Sequence, residues 1–403
     1  MKTKLQFLRW LMMLMLLVCA LGTWAQVGTL TQTGAQTVCI TGVPEPYGVI
    51  NTTGSTYSWQ VVGGTSPTDW VLASTTANTA TVLWKTAGNY TVQVFETNAL
   101  NCLVGSPVTV AVTVSPLPTA TIGAVPATVC QNGTAPVVTF TGADGTAPYT
   151  FTYTINGGVA QTVTTTSGNS VTVTAPTAAS GVFTYALVSV QDASPKACTN
   201  AQTGTTIVTV NPLPTATIGA VPAAVCQNGT APVVTFTGTG GTAPYTFTYT
   251  INGGSAQTVT TTSGNSVTVT ATTAASGVFT YALVSVQDAS GTACTNAQTG
   301  TTVVTVNSLP NPTITGTTPV CETTSGVVYK TETGMSNYVW TISGGGTITG
   351  GGTTDTVTVT WNTAGAQTIT VNYQNANGCT AGTATSKTVI VDALPATSPI
   401  YHN

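Results

Sequence analysis

The chain has 403 residues, of which only 4% are charged, and its formal net charge is −3. This length exceeds what a single β-sandwich uses, so several domains are expected. Ordinary soluble domains carry about 25% charged residues. Disorder is nevertheless excluded, because the β-branched residues Thr and Val recur throughout and suit a pleated, half-buried surface. The composition therefore predicts an all-β protein with several domains.

Residues 1–25 have the pattern of a secretory signal peptide. A positive start (Lys2, Lys4 and Arg9) precedes an apolar centre at 11–18, and a small-residue cleavage site follows. The apolar centre is short for a bilayer, so no membrane span is expected after cleavage. Cleavage leaves four basic and ten acidic residues, a net charge near −6, which disfavours nucleic acid as a partner. The sequence thus predicts an exported protein, extracellular or at the cell surface.

Proline-containing linkers divide the remaining chain into four units. The linkers read SPLP, NPLP, NSLP and DALP, and proline makes such joints short and stiff. They predict four domains and a short C-terminal tail, with the bounds 26–115, 116–211, 212–308, 309–392 and 393–403.

The two middle units are nearly identical. Residues 118–213 align with residues 214–309 at a period of 96 residues with nine mismatches. Period-two runs that end at Gly, Asn or Pro predict about seven strands in each unit. In the first copy these strands are ATVC, PVVTFTG, PYTFTYTING, AQTVTTT, NSVTVTA, GVFTYALVSVQD and TTIVTV. Seven strands in under 100 residues are typical of an immunoglobulin-like sandwich.

The two outer units, residues 27–115 and 311–391, share a different pattern. YSWQVVGG matches YVWTISGGG, ATVLWKTAGNYTVQV matches VTVTWNTAGAQTITV, and NALNC matches NANGC. These stretches resemble PKD-like domains of Bacteroidota surface proteins. The middle units resemble Ig-like repeats of the same proteins, which are often associated with gliding motility. The resemblance implies an adhesin-like or structural surface protein, and it carries over no catalytic residues.

Eight cysteines follow the signal sequence, and an even number in an exported chain indicates disulfides. Taken consecutively, the pairs are separated by 63, 68, 68 and 58 residues. This even spacing predicts one disulfide in each domain, although spacing alone leaves the connectivity open. The proposed pairs are Cys39–Cys102, Cys130–Cys198, Cys226–Cys294 and Cys321–Cys379. A metal site is the alternative, but no CxxC or histidine pair supports it, and no cofactor is expected.

No arrangement of residues typical of catalysis is found. The single histidine is His402, next to the last residue, and no carboxylate pair has the spacing of a glycoside hydrolase. We therefore expect no enzyme. Asp192 and Asp288 follow a strand in the two VQDAS stretches. They could bind calcium or another ligand, but a turn-capping role is the commoner use of such an aspartate.

The aromatic residues divide into expected core residues and one candidate for ligand contact. Trp59 and Trp340 lie in the middle of predicted strands, where core packing is expected. Trp70, in the predicted loop SPTDWVL, is the best exposed candidate for stacking on a sugar. A further candidate is Thr356, because its DTV sequence resembles the O-glycosylation site of Bacteroidota.

Together these features predict a non-catalytic, rod-like structural stalk or adhesin made of repeated β-sandwiches. Its partner would be a cell-surface or extracellular polymer, either glycan or protein. One alternative is a carbohydrate-binding accessory protein for extracellular polysaccharide. A second is a self-assembling fibre or matrix subunit, because charges that usually protect strand edges are nearly absent.

Overall fold

The computed structural model describes residues 34–73, 77–100, 102, 105–221, 224–400 and 402. The predicted signal peptide at 1–25 lies outside these residues. The chain divides into two compact units, Met1–Val210 and Asn211–Asn403. Each unit contains two sandwich-like pairs of β-sheets, and we number the sandwiches first to fourth along the chain.

The first sandwich consists of a four-stranded and a three-stranded sheet. Its strands are β1 (Gln36–Cys39), β2 (Glu45–Gly48), β3 (Thr56–Val62), β4 (Trp70–Ala73), β5 (Thr79–Trp84), β6 (Gly88–Thr97) and β7 (Val108–Ser115). The strand orders are β1-β7-β6-β3 and β2-β5-β4. In β5, half-buried and buried positions alternate because successive side chains point to opposite faces. This alternation places Trp84 in the core with Trp59.

The second sandwich covers the first of the two near-identical repeats. Its strands are β8 (Thr119–Val125), β9 (Thr128–Cys130), β10 (Val137–Ala143), β11 (Thr150–Ile155), β12 (Gln161–Thr164), β13 (Ser170–Thr174), β14 (Gly181–Gln191), β15 (Thr199–Ala201) and β16 (Thr205–Asn211). One sheet has the order β13-β10-β8 and the other β12-β11-β14-β16-β9, with β15 also paired to β14. Phe140 packs in the core with Phe151 and Tyr153, at ring-centroid distances of 5.6 and 4.9 Å.

The third sandwich repeats this arrangement. Its strands are β17 (Thr215–Ile218), β18 (Val225–Cys226), β19 (Val233–Thr239), β20 (Thr246–Ile251), β21 (Gln257–Thr260), β22 (Ser266–Thr270), β23 (Gly277–Gln287), β24 (Thr295–Ala297) and β25 (Thr301–Asn307). The strand orders are β17-β19-β22 and β18-β25-β23-β20-β21, with β24 paired to β23.

The fourth sandwich pairs two four-stranded sheets. Its strands are β26 (Thr315–Gly316), β27 (Val320–Cys321), β28 (Val327–Lys330), β29 (Ser336–Ile342), β30 (Gly346–Gly350), β31 (Thr356–Trp361), β32 (Gly365–Gln374) and β33 (Thr385–Asp392). The strand orders are β26-β28-β31-β30 and β27-β33-β32-β29. Trp361 and Trp340 lie in its core, as Trp84 and Trp59 do in the first sandwich.

The predicted all-β fold with about four sandwiches is confirmed. The strand number of the second sandwich differs from the prediction, because nine strands form where about seven were expected. One of the two additional strands, β8, starts directly after the SPLP linker and pairs with β10 along seven residues. Its sequence TATIGAV alternates only weakly, so periodicity did not reveal it. The exact domain boundaries remain predictions.

Candidate functional site

One cysteine of each sandwich lies at the end where the chain leaves that sandwich. Cys39 ends β1 and lies opposite Ser115, the last residue of the parallel strand β7. In the same way, Cys226 lies opposite Asn307, the last residue of β25. The short strands β9 and β27 occupy the same position beside the last strands of their sandwiches. We call the residues that end these four strands the exit cysteines: Cys39, Cys130, Cys226 and Cys321.

The other cysteine of each sandwich belongs to a loop, which lies near the incoming linker in the second, third and fourth sandwiches. In the second sandwich, Asn200 of this loop region donates its side-chain N–H to the carbonyl of Pro118, at 2.9 Å. In the fourth sandwich, Asn375 of the loop donates to the linker carbonyl of Ser308, at 3.1 Å. These contacts place the loops at the end where the chain enters. We call the loop residues the entrance cysteines: Cys102, Cys198, Cys294 and Cys379.

Within each unit, a disulfide joins the exit cysteine of one sandwich to the entrance cysteine of the next. Cys39 is bonded to Cys198, and the two Cα atoms are 5.7 Å apart. Cys226 is bonded to Cys379, with a Cα–Cα distance of 5.6 Å. Two further cysteines are disulfide-bonded, namely Cys130 and Cys294. Among the described cysteines, two exposed thiols are free, those of Cys102 and Cys321.

The prediction of one disulfide inside each sandwich is therefore wrong. The predicted pairs Cys39–Cys102, Cys130–Cys198, Cys226–Cys294 and Cys321–Cys379 each connect opposite ends of one sandwich. The 11-residue strand β14 spans about 36 Å at 3.3 Å per residue. A disulfide requires Cα atoms within about 7 Å of each other. The even spacing of the cysteines reflects the repetition of the sandwiches, and the bonds form across the linkers.

A buried aspartate shapes the entrance loop of each middle sandwich. In the second sandwich, the Asp192 N–H donates to the carbonyl of Cys198 at 3.0 Å. The Asp192 carboxylate accepts hydrogen bonds from the hydroxyl of Ser194 at 2.7 Å and from the backbone N–H of Thr146 at 3.1 Å. Asp288 receives the corresponding bonds at 2.7 and 3.0 Å in the third sandwich. Both aspartates are 4% exposed. The turn-capping interpretation is confirmed, and the capped turn ends at the entrance cysteine.

An asparagine takes this role in the outer sandwiches. The Cys102 N–H donates to Asn98 Oδ1 at 2.9 Å, and the Asn98 N–H donates to the carbonyl of Cys102 at 3.1 Å. The same two bonds between Cys379 and Asn375 measure 3.0 and 2.9 Å. The free Cys102 thus lies in a loop built like the loop of the bonded Cys379. The matching stretches NALNC and NANGC were the sequence signal for this loop.

A carboxylate that sequence reasoning missed holds the chain where it enters the fourth sandwich. Glu332 accepts hydrogen bonds from the Thr313 N–H at 3.1 Å, from the Thr331 hydroxyl at 2.7 Å and from the Tyr373 hydroxyl at 3.0 Å. Burial by itself raises the pKa of Glu332, but the bonds donated by the two threonines outweigh it and lower the pKa to about 2. Burial and the neighbouring carboxylate raise the pKa of Tyr373 to about 12. Glu332 is therefore ionised at neutral pH. No sequence motif marks this group.

Trp70 does not lie in an exposed loop, so this part of its prediction is wrong. It begins β4 opposite Trp84, and its half-buried ring packs against the first core. Its indole N–H donates to the carbonyl of Gly63 at 2.9 Å. Part of the ring still faces solvent, and contact with a ligand remains a prediction.

Thr356, the candidate for O-glycosylation, is half-buried at the start of β31. Its hydroxyl donates to Asp355 Oδ1 at 3.3 Å. Its modification also remains a prediction.

Side chains that could together bind a metal do not meet in the described chain. In that part of the molecule, no group of three His, Cys, Asp or Glu side chains could hold a metal ion. His402 is exposed near the C-terminus. No helix within the described ranges has the length and apolarity needed to cross a bilayer.

Residues 307–389 match the family model of the PKD-like domain. This match confirms the PKD-like resemblance for that part of the chain. No curated protein has a sequence that matches the chain.

Several solved structures with tandem domains resemble this chain. A Ca²⁺-stabilized adhesin that helps an Antarctic bacterium to bind ice is 18% identical, with a TM-score of 0.42, and the match covers 88% of this chain and 96% of the adhesin. Invasin, a bacterial integrin-binding protein, is 14% identical with a TM-score of 0.32, and coverage is 89% and 77%. The extracellular domain of protocadherin GammaB4 is 12% identical with a TM-score of 0.33, and coverage is 90% and 66%. Identities and scores this low carry no function over to this chain.

Proposed function

We propose that this chain is an exported, non-catalytic surface protein of the Bacteroidota type that serves as a structural stalk or adhesin. The observation that carries this proposal is the disulfide between consecutive sandwiches, Cys39–Cys198 in one unit and Cys226–Cys379 in the other. A covalent bond beside the linker limits how far two sandwiches can separate when the chain is pulled. Such a bond is useful to a protein that bears load. It also requires an oxidising compartment, which supports export.

The chemistry of the described side chains supports a mechanical role over a catalytic one. The buried carboxylates of Asp192 and Asp288 accept hydrogen bonds from N–H and hydroxyl groups of loops. The carboxylate of Glu332 also accepts such a bond, from the Thr313 N–H. The sandwiches are repeated, and repetition multiplies weak contacts with a polymer without any single strong site. The partner we infer is an extracellular glycan or protein polymer.

Two measurements on oxidised residues 26–403 test this proposal. Small-angle X-ray scattering over a concentration series should give an elongated particle, and a compact globule would rule out a stalk. Beads coated with the protein should adhere to films of cell-surface polysaccharide or protein. Trp70→Ala should weaken adhesion to polysaccharide only if that ring contacts sugar. Absence of adhesion to all films, together with hydrolase activity, would overturn the proposal.

The disulfide variant Cys39→Ser/Cys198→Ser provides the matched test of the load-bearing role. Stretching single molecules of this variant should separate the first two sandwiches at lower force than in the parent protein. The pair Cys226–Cys379 stays intact in the variant and serves as the internal control. Equal separation forces would show that the bond carries no load.

A further inference from the structure

The two free thiols of the described chain are of opposite kind. Cys102 is the entrance cysteine of the first sandwich, and Cys321 is the exit cysteine of the fourth. Each disulfide described above joins an exit cysteine to the entrance cysteine of the following sandwich. Within the described residues, neither thiol is bonded to a cysteine of the complementary kind. Each free thiol is therefore one half of a bond that the rest of the chain forms repeatedly.

Cys102 already makes the hydrogen bonds of a bonded entrance cysteine. Besides the two hydrogen bonds shared with the Cys379 loop, the sulfur atoms occupy the same position. Cys102 Sγ lies 3.9 Å from the carbonyl oxygen of Leu100, and Cys379 Sγ lies 3.9 Å from that of Asn377. Cys379 is bonded and 1% exposed, whereas Cys102 is exposed. The hydrogen bonds around the two cysteines match, whereas the exposure of their thiols differs.

Cys321 is held in the same way as a bonded exit cysteine. It lies opposite Asp392, and the next residue, Glu322, donates its N–H to the Asp392 carbonyl at 2.8 Å. Around the bonded Cys226, the N–H of Gln227 donates to the carbonyl of Asn307, also at 2.8 Å. The backbone therefore presents the thiol of Cys321 at the exit end, where Cys226 forms its disulfide.

We propose that Cys321 of one molecule forms a disulfide with Cys102 of a second molecule of this chain, so that molecules are linked head to tail. We infer a second copy of this chain as the partner, because each copy carries both a free exit cysteine and a free entrance cysteine. In the disulfides described above, an exit cysteine is bonded to an entrance cysteine. A head-to-tail contact whose rotation does not close produces an open filament. This inference goes beyond the proposed function, because chains could link in this way whether or not they adhere to a surface.

The bond forms by thiol–disulfide exchange with an external disulfide, either an oxidised low-molecular-weight thiol or a disulfide oxidoreductase. The Cys321 thiolate attacks one sulfur of that disulfide and releases one thiolate. The Cys102 thiolate of the second molecule attacks the resulting mixed disulfide at Cys321 Sγ and releases the other. The two protons lost by the cysteines are taken up by the two released thiolates. One external disulfide is thus reduced to two thiols for each link.

The test uses purified residues 26–403 in a buffer of reduced and oxidised glutathione, analysed by non-reducing electrophoresis over a concentration series. The parent protein should form a ladder of oligomers that disappears on reduction. Cys102→Ser and Cys321→Ser should each remain monomeric. An equimolar mixture of these two variants should form dimers and nothing larger, because each supplies one complementary thiol. Mass spectrometry of the dimer should identify a peptide that contains Cys102 linked to Cys321.

A control separates this pairing from unspecific coupling of exposed thiols. Val159→Cys, in the background Cys102→Ser/Cys321→Ser, places one thiol at a position that is 87% exposed. It should dimerise more slowly than the complementary mixture. The proposal is overturned if the parent protein stays monomeric with glutathione on both cysteines, or if either single variant dimerises alone as fast as the mixture does. Loss of adhesion with an intact ladder would instead count against the proposed function alone.

Discussion

The two near-identical repeats, residues 118–213 and 214–309, show which parts of a sandwich are constrained. Their aromatic cores are the same within 0.1 Å: Phe140–Phe151 and Phe140–Tyr153 have ring-centroid distances of 5.6 and 4.9 Å, and the corresponding distances in the second repeat are 5.7 and 5.0 Å. The buried aspartates of the entrance loops are 4% exposed in both. The aromatic cores and the burial of the loop aspartates are therefore repeated without change.

The nine differences between the repeats all lie outside the core. Every differing residue is exposed in both repeats, except Thr292, which is half-buried. Two of the nine fall in the entrance loop, where Pro195 and Lys196 correspond to Gly291 and Thr292. The Thr292 hydroxyl accepts a hydrogen bond from the Asn211 side chain at 2.9 Å and lies 3.2 Å from Cys294 Sγ. The comparison teaches that packing restricts the inner residues, while the surface and the approach to the cysteine are free to vary.

The strongest test of this comparison is to remove the same ring from each repeat. Phe151 and Phe247 are both 0% exposed, so Phe→Ala should cost about 3–5 kcal/mol at either position. Hydrogen exchange read by mass spectrometry can follow each sandwich, because the peptides of β16 and β25 differ in mass at Ile207 and Val303. Each variant should lose protection in its own sandwich by the same amount. Losses that differ by more than about 1 kcal/mol would show that the two cores are not equivalent.

A smaller effect is expected when the support of the entrance loop is removed. Asp192→Ala leaves the Thr146 N–H and the Ser194 hydroxyl without their acceptor, which should cost about 1–3 kcal/mol. The loosened loop should also make the Cys39–Cys198 disulfide easier to reduce with dithiothreitol. Asp288→Ala is the matched control, and it should leave the reduction rate of that disulfide unchanged. An unchanged rate in Asp192→Ala would mean that the aspartate does not position the cysteine.

The fourth sandwich differs from the two repeats, because the chain that enters it is held by Glu332, whose pKa is about 2. The ordinary pKa of a glutamate, which applies to the unfolded chain, is 4.5. Because the pKa of Glu332 is lower in the folded protein, the folded state binds this proton less tightly than the unfolded state. The stabilisation is therefore complete above about pH 4.5 and is lost as the pH falls towards 2. Glu332→Gln should lower the stability of this sandwich at neutral pH by less than about 1 kcal/mol, because the carboxylate is partly exposed.

The difference between Glu332→Gln and the parent protein should shrink as the pH falls from 4.5 to 2. Protection of β33 against hydrogen exchange reports this sandwich. A constant difference at all pH values would assign the effect of Glu332 to packing.

The smallest effect is expected from exchanging a natural difference between the repeats. Asp144 has a positive φ of 60°, and Gly240, its counterpart, has a φ of 79°. Asp144→Gly relieves a conformation that disfavours side chains but removes the 2.7 Å hydrogen bond from the Thr119 hydroxyl. These contributions should cancel, so that the free energy of unfolding changes by no more than about 0.5 kcal/mol. Gly240→Asp should change it by equally little, and the midpoint of denaturant unfolding measures both variants. A larger change would show that the exposed differences are not interchangeable.

The sequence alone determined the β-structure, the repetition and most of the core. The alternation of apolar residues and threonines is a local signal, because side chains of a strand point alternately to its two faces. This alternation is sufficient to assign Trp59 and Trp340 to the core, and both are buried. Sequence likewise favoured turn capping for Asp192 over calcium or ligand binding, since such caps act over a few residues.

Only the tertiary structure decided the partners of the cysteines. Cys130 and Cys198 are neighbours in the cysteine order, but they lie at opposite ends of one sandwich, about a strand length apart. Cys39 and Cys198 are 159 residues apart in sequence, yet their Cα atoms come within 5.7 Å beside one linker. Sequence reasoning also missed the hydrogen bonds of Glu332, because Thr313 and Tyr373 are distant from it in the sequence. Which groups a cysteine or a buried carboxylate bonds to depends on distance in space. The equal spacing of the cysteines in the sequence indicated only that the sandwich is repeated.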